Sequence, residues 1–103
     1  MQFLVTGMDG VDGEAPARRL SAREAHLTLG ERMKASGNLL FAAAILDEGG
    51  KMIGSSIVCD FPSAADLDNW LKEEPYVTDG VWQQIEVRPC RVSPSFATTQ
   101  ARA

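Results

Sequence analysis

The sequence is poor in the residues that build most chemical sites. Its 103 residues include one histidine, two cysteines and one tyrosine. Cys59 and Cys90 stand apart, with no CxxC pair and no His/Cys cluster, which leaves zinc and iron–sulfur centres without a ligand set. Both lie in strand-like segments, where free cysteine behaves as a small hydrophobe, and a reducing cytoplasm disfavours a disulfide. No apolar run approaches the roughly 20 residues of a membrane span. Basic charge is short too: 10 Lys and Arg against 14 Asp and Glu give a formal net charge of -4, the wrong sign for a nucleic-acid binder. No glycine-rich loop lies between a strand and a helix start, so a nucleotide cofactor has no cradle. Asp9, Asp12 and Glu14 lack the spacing of a calcium loop, and Ser55 and Ser56 lack the context of a nucleophile elbow. The expectation is a protein without metal, cofactor, nucleic acid or membrane. Met1-Gln2-Phe3-Leu4-Val5 enters a strand pattern with no basic leader, which predicts a cytoplasmic location.

What is present is an ordinary globular composition, 45% hydrophobic and 23% charged. Residues 1–92 read as one domain, and residues 93–103 as an aperiodic tail that frays. Residues 2–7 read as a strand, and Met8 to Ala17 as a loop rich in glycine and acids. Ser21 and Glu24 have the spacing of a capping box, predicting a helix from Ser21 to about Ser36, closed by Gly37. Gly30 inside that helix predicts a close approach by another element. Asn38 to Leu46 reads as a buried strand, Asp47 to Gly50 as a hairpin turn, and Lys51 to Phe61 as the return strand. Ser63 caps a second helix with Leu67, Trp70 and Leu71 on its buried stripe, and Pro75 ends it. A last strand runs from Val81 to Val92 with Ile85 and Val87 inward.

The order β-α-β-β-α-β predicts an α+β, ferredoxin-like sandwich: four antiparallel strands with both helices on one face. The other face is bare in a monomer. Pairing two sheets across a two-fold axis covers it, so a homodimer is expected.

His26 falls on the helix stripe formed by Ala22, Ala25, Leu29 and Met33, each within about 60° of Leu29 at 100° per residue. A side chain that titrates near neutrality is thereby set among apolar neighbours, either as a packed core residue or as a chemical group. Arg23, three residues earlier, flanks it and is a candidate anchor for a carboxylate, enolate or phenolate. Arg18 and Arg19 lie just ahead. Tyr76 either lines a pocket or packs where the second helix ends. Trp70 and Trp82 read as core or dimer contacts.

Several segments together resemble the YCII-related (YciI-like) family of dimeric α+β barrel proteins. Arg23-Glu24-Ala25-His26-Leu27 is similar to that family's R-P-x-H-L opening of helix 1. Leu39 to Ala44, followed by Gly49 and Met52-Ile53-Gly54-Ser55, is similar to its central hairpin. Glu74-Pro75-Tyr76 through Gly80-Val81 resembles its D-P-F/Y-x-x-x-G-V signature, and Ile85 to Pro89 its closing strand. The resemblance implies an active-site pair of His26 and Glu74, with the carboxylate fixing and orienting the imidazole as a general acid/base. Substrate contacts then fall to Arg23 and Tyr76. The implied function is a small cofactor-independent lyase- or isomerase-type enzyme acting on a small anionic organic molecule. Two departures support an alternative, a non-catalytic dimeric binding or assembly module. Ala43-Ala44 stands where the family has Gly-Pro, and Glu74 stands where it has Asp. To cofactor-free monooxygenases of the same architecture the resemblance extends to fold only.

Overall fold

The computed structural model describes residues 1–96. Strand β1 (Gln2–Asp9) is followed by helix α1 (Ala15–Ser36), strands β2 (Leu39–Leu46) and β3 (Met52–Asp60), helices α2 (Ala64–Leu71) and α3 (Pro75–Thr78), and strand β4 (Trp82–Cys90). The strands form one antiparallel sheet in the order β2-β3-β1-β4, with the helices on one face, as the alternation of elements predicts. Of the tail expected to fray, Ser93 to Phe96 makes a turn closed by the Phe96 N–H donating to the Ser93 carbonyl at 2.9 Å. Residues 97–103 lie outside the described residues.

Helix α1 begins six residues before the expected Ser21. Glu14 occupies the N-cap position without a side-chain bond, and Pro16 lies in the first turn, where its fixed φ suits a helix and its missing N–H is harmless. Ser21 is therefore an exposed mid-helix residue, and the capping-box reading of Ser21 and Glu24 is corrected. The capping spacing is a local signal; tertiary contacts of Arg18 and Arg19 hold the extra turns. The C-terminal end is as expected: Gly37 adopts φ 87° and its N–H donates to the Lys34 carbonyl.

The buried residues of α1 are Ala15, Arg19, Ala22, Leu29 and Met33, with His26 partly buried among them. They follow alternating steps of four and three, one continuous stripe. Ala25, expected on that stripe, is exposed. Gly30 meets only the Leu39 Cδ2, at 3.6 Å from a built Cβ, so no close approach requires it. Gly7 does need its missing side chain, since a Cβ there would lie 2.3 Å from the Trp82 indole.

In α2, the Ser63 hydroxyl accepts from the Asp66 N–H at 3.2 Å and donates to its carboxylate at 2.8 Å. Leu67 and Trp70 are buried there, joining Phe3, Val5, Ile57, Cys59, Phe61, Tyr76, Val81 and Trp82 in the core. Burial pushes the Cys59 thiol up to about 12, so its sulfur stays protonated packing material. The second helix is shorter than expected, and Pro75 opens α3 rather than simply ending α2.

The strand from Asn38 to Leu46 is not buried. β2 is an edge strand, with Phe41, Ala42, Ala43, Ala44 and Leu46 exposed. Its apolar run reads like a central strand, but covering it needs a surface that the described residues of this chain do not supply. β4 is the opposite edge. Register places Ile85 and Val87 on the face of Gly7 and Val5, yet they keep 39% and 37% exposure because none of the described helices covers that margin fully.

Candidate functional site

Helix α1 and the β2–β3 side of the sheet enclose a recess of about 170 Å³. Arg19, Arg23 and His26 line it from α1, Ser55 and Ile57 from β3, Ala42 to Ala44 from β2, and Tyr76 from α3. The α1 residues recur at i, i+4 and i+7, the spacing that brings side chains onto one helix face. Ala42 and Ala44 pair with Ile57 and Ser55, so these four share the helix-covered face.

The structure brings His26 and Glu74 together across a large sequence separation. Glu74 is 2% exposed, not a solvated helix-end acid, because Pro75 turns the chain into α3 and makes Glu74 its N-cap. Its Oε1 accepts from the Tyr76 N–H at 3.2 Å and also meets the His26 Nδ1. Facing an oxygen already used as an acceptor, Nδ1 carries hydrogen and donates it. That fixes the tautomer and leaves Nε2 as the basic ring nitrogen. The Tyr76 ring stacks on the imidazole with centroids 3.8 Å apart and planes 7° apart, while Trp82 meets it edge-on at 6.2 Å. Burial raises the Tyr76 phenol above its usual range, against the opposing charges of Arg19 and Arg23, so its hydroxyl stays protonated.

Arg23 is exposed and has no carboxylate partner among the described residues. Arg18, by contrast, is engaged at the helix start by Asp12, at 2.6 and 2.9 Å, away from the recess.

Sequence reasoning underrated Arg19. It is buried, its Nη1 donates to both Asp9 oxygens at 2.9 and 3.0 Å, and its Nη2 donates to the Gly54 carbonyl and the Ser55 hydroxyl. Its guanidinium carbon also lies 4.9 Å from the Tyr76 ring centroid, a cation–π contact. Once α1 is drawn from Pro16, the i, i+4, i+7 spacing of Arg19, Arg23 and His26 is the signal that reveals it. Asp9 carries no such signal, since it joins the cluster only through strand pairing. Among the described residues, no three His, Cys, Asp or Glu side chains are grouped to hold a metal ion. No helix among them is long and apolar enough to cross a membrane.

The sheet order, the one-sided helices and the histidine–carboxylate recess define a small ferredoxin-like α+β protein. The YCII-related domain matches residues 1–91, and the chain belongs to that family. Protein YciI of Escherichia coli is 30% identical over 95 residues, covering 86% of this chain and 95% of its own length. Among solved structures, the fold is similar to 5-chloro-2-hydroxyhydroquinone dehydrochlorinase (TftG) from Burkholderia phenoliruptrix, in complex with 2,5-dihydroxybenzoquinone. The TM-score is 0.77 at 20% identity, covering 92% of this chain and 98% of that one. A weaker similarity, TM-score 0.51 at 17% identity, joins it to an antibiotic biosynthesis monooxygenase, over 91% of this chain and 100% of that one.

Proposed function

We propose that this chain is a small enzyme performing cofactor-independent acid/base chemistry of the lyase or isomerase type on a small anionic organic molecule. The observation that carries this reading is the His26–Glu74 contact at the edge of a recess that also holds Arg23. Glu74 anchors Nδ1, so Nε2 accepts a proton from an activated carbon or hydroxyl of the bound molecule. The imidazolium formed is stabilised by the buried carboxylate. It returns its proton either to a second atom of the same molecule, an isomerisation, or to a departing group, an elimination. Arg23 holds the negative charge in place, and Tyr76 offers a protonated phenol. The size of the recess agrees with a small substrate: a cavity of about 150 Å³ takes a benzene ring. The Burkholderia neighbour, by name a dehydrochlorinase, was solved with a one-ring molecule; it supports this reading through fold alone.

The test is solvent deuterium exchange, followed by proton NMR, into a panel of small 2-oxo acids and hydroxybenzoates. Wild-type protein is expected to catalyse exchange in at least one of them. His26→Gln should reduce that rate by about 10²–10⁴-fold, the usual contribution of a positioned acid/base. A panel that wild type binds but never exchanges would favour the binding-module reading.

The second copy belongs to the same proposal. The uncovered sheet face carries Leu4 and Val58, and β2 adds Phe41 at 59% exposure. Such contiguous apolar surface favours a homodimer. Sedimentation at micromolar concentration is expected to show twice the chain mass, and Phe41→Asp to yield monomer; a wild-type monomer would refute the dimer.

A further inference from the structure

Resting on the reading of this recess as a substrate site, we propose that Ser55 donates a hydrogen bond to an oxygen of the bound molecule and thereby selects oxygenated substrates. Ser55 is 4% exposed and lies on the helix-covered face of β3, opposite Ala44. Its oxygen accepts from the Arg19 Nη2 at 3.0 Å. A hydroxyl has one proton to give, and among the described residues nothing accepts that of Ser55. A buried donor left unmet is costly, whereas one aimed at a cavity waits for an acceptor.

Its surroundings determine which acceptor. The Arg19 guanidinium pulls electron density from the Ser55 oxygen and makes the hydroxyl a stronger donor. Asp9 neutralises Arg19, so Arg19 does not serve as the anchoring cation. That task falls to Arg23, one helical turn further along. The recess thus presents two different anchors, a solvent-facing charge for an anionic group and a buried neutral donor for a second oxygen. The small side chains of Ala42 and Ala44 line the recess beside Ser55. Ser55 is not read as a nucleophile here, since among the described residues its one hydrogen-bond partner is the Arg19 Nη2, a donor, and no base meets its hydroxyl. Sites that hydrogen-bond a substrate oxygen discriminate strongly against analogues without it, because the buried partner is then left unpaired.

The experiment is a set of calorimetric titrations with benzoate, the three hydroxybenzoates and the three aminobenzoates. The carboxylate is shared, and only the second substituent changes from none to an oxygen acceptor to an amine. The best hydroxybenzoate is expected to bind wild-type protein about tenfold tighter than benzoate and than its amino counterpart. In Ser55→Ala that advantage should fall below about threefold, while benzoate binds as before. The amine comparison needs only wild-type protein, so it decides the matter even where Ser55→Ala folds poorly. No binding by any probe, no hydroxyl advantage, an equal gain from the amine, or an advantage that survives Ser55→Ala would each overturn the inference. These affinities require no turnover. Absent deuterium exchange therefore sinks the acid/base reading alone, and a surviving advantage in Ser55→Ala sinks this one alone.

Discussion

Helix α1 carries two buried pairs on one face, and they differ in kind. Arg19–Asp9 is a fork of fixed charge, with side chains 9% and 5% exposed, locked to β1 and β3 by four hydrogen bonds. His26–Glu74, two turns on, joins a titratable ring to a carboxylate held by a backbone N–H, and the imidazole keeps 17% exposure. Arginine stays charged at any ordinary pH, so its pair holds the β1–α1–β3 junction but cannot cycle a proton. Histidine keeps one nitrogen uncommitted and can. Proximity to a carboxylate is common to both; the chemistry of the cation separates a strut from a candidate acid/base.

That contrast predicts a graded response to substitution. Asp9→Ala leaves the Arg19 guanidinium buried without its counter-ion and should cost about 3–5 kcal/mol in urea unfolding. A loss below about 1 kcal/mol would mean that water reaches Arg19 and that the strut description is wrong. Glu74→Gln keeps a side-chain oxygen for the Tyr76 N–H but removes the charge facing His26, so about 1–3 kcal/mol is expected. Its sharper readout is the imidazole ¹⁵N spectrum: wild type should show Nδ1–H, and the variant a mixture of tautomers. An unchanged spectrum would show that Glu74 does not set the tautomer.

His26→Gln keeps a donor toward Glu74 and should shift stability by no more than about 1 kcal/mol while slowing isotope exchange about 10²–10⁴-fold. A large stability loss with exchange intact would reverse the contrast and make His26 the strut. The smallest effect belongs to Asp12→Asn at the exposed Arg18–Asp12 pair. The hydrogen bond from Arg18 holds the Asp12 carboxyl at about 2, below its usual 3.8. Its contribution is present above the unfolded-state value and vanishes as pH falls through about 2. Unfolding curves from pH 6 downward should show a small gap between wild type and variant that closes in acid; a gap that widens would have the wrong sign.

Much of the architecture was legible because it rests on local signals. Gly37 as a left-handed cap, Ser63 as an N-cap and the stripe through Ala22, His26, Leu29 and Met33 are each encoded within a few residues. The start of α1 was not, because the capping spacing at Ser21 outranked Pro16 locally while the deciding contacts came from Asp9 and Asp12. The burial of β2 was misread for a related reason. An apolar run records what a strand tolerates, whereas burial depends on which neighbours the sheet order supplies.

The candidate site divides the same way. The types and helical spacing of Arg23 and His26 were readable, and family resemblance paired His26 with Glu74. The Arg19–Asp9–Ser55 cluster was not readable, since its members come from three elements whose side chains meet only after β1, α1 and β3 assemble. By itself the sequence determined the order of the four strands and two longer helices, the lone histidine on an apolar stripe and the net acidic charge, because these depend on composition and short-range periodicity. Only the tertiary structure decided that Glu74 is buried and that, among the described residues, Arg19 is neutralised while Arg23 is not and Ser55 has a proton to give. Each of those is a question of which groups lose water together, and desolvation is a property of the assembled fold.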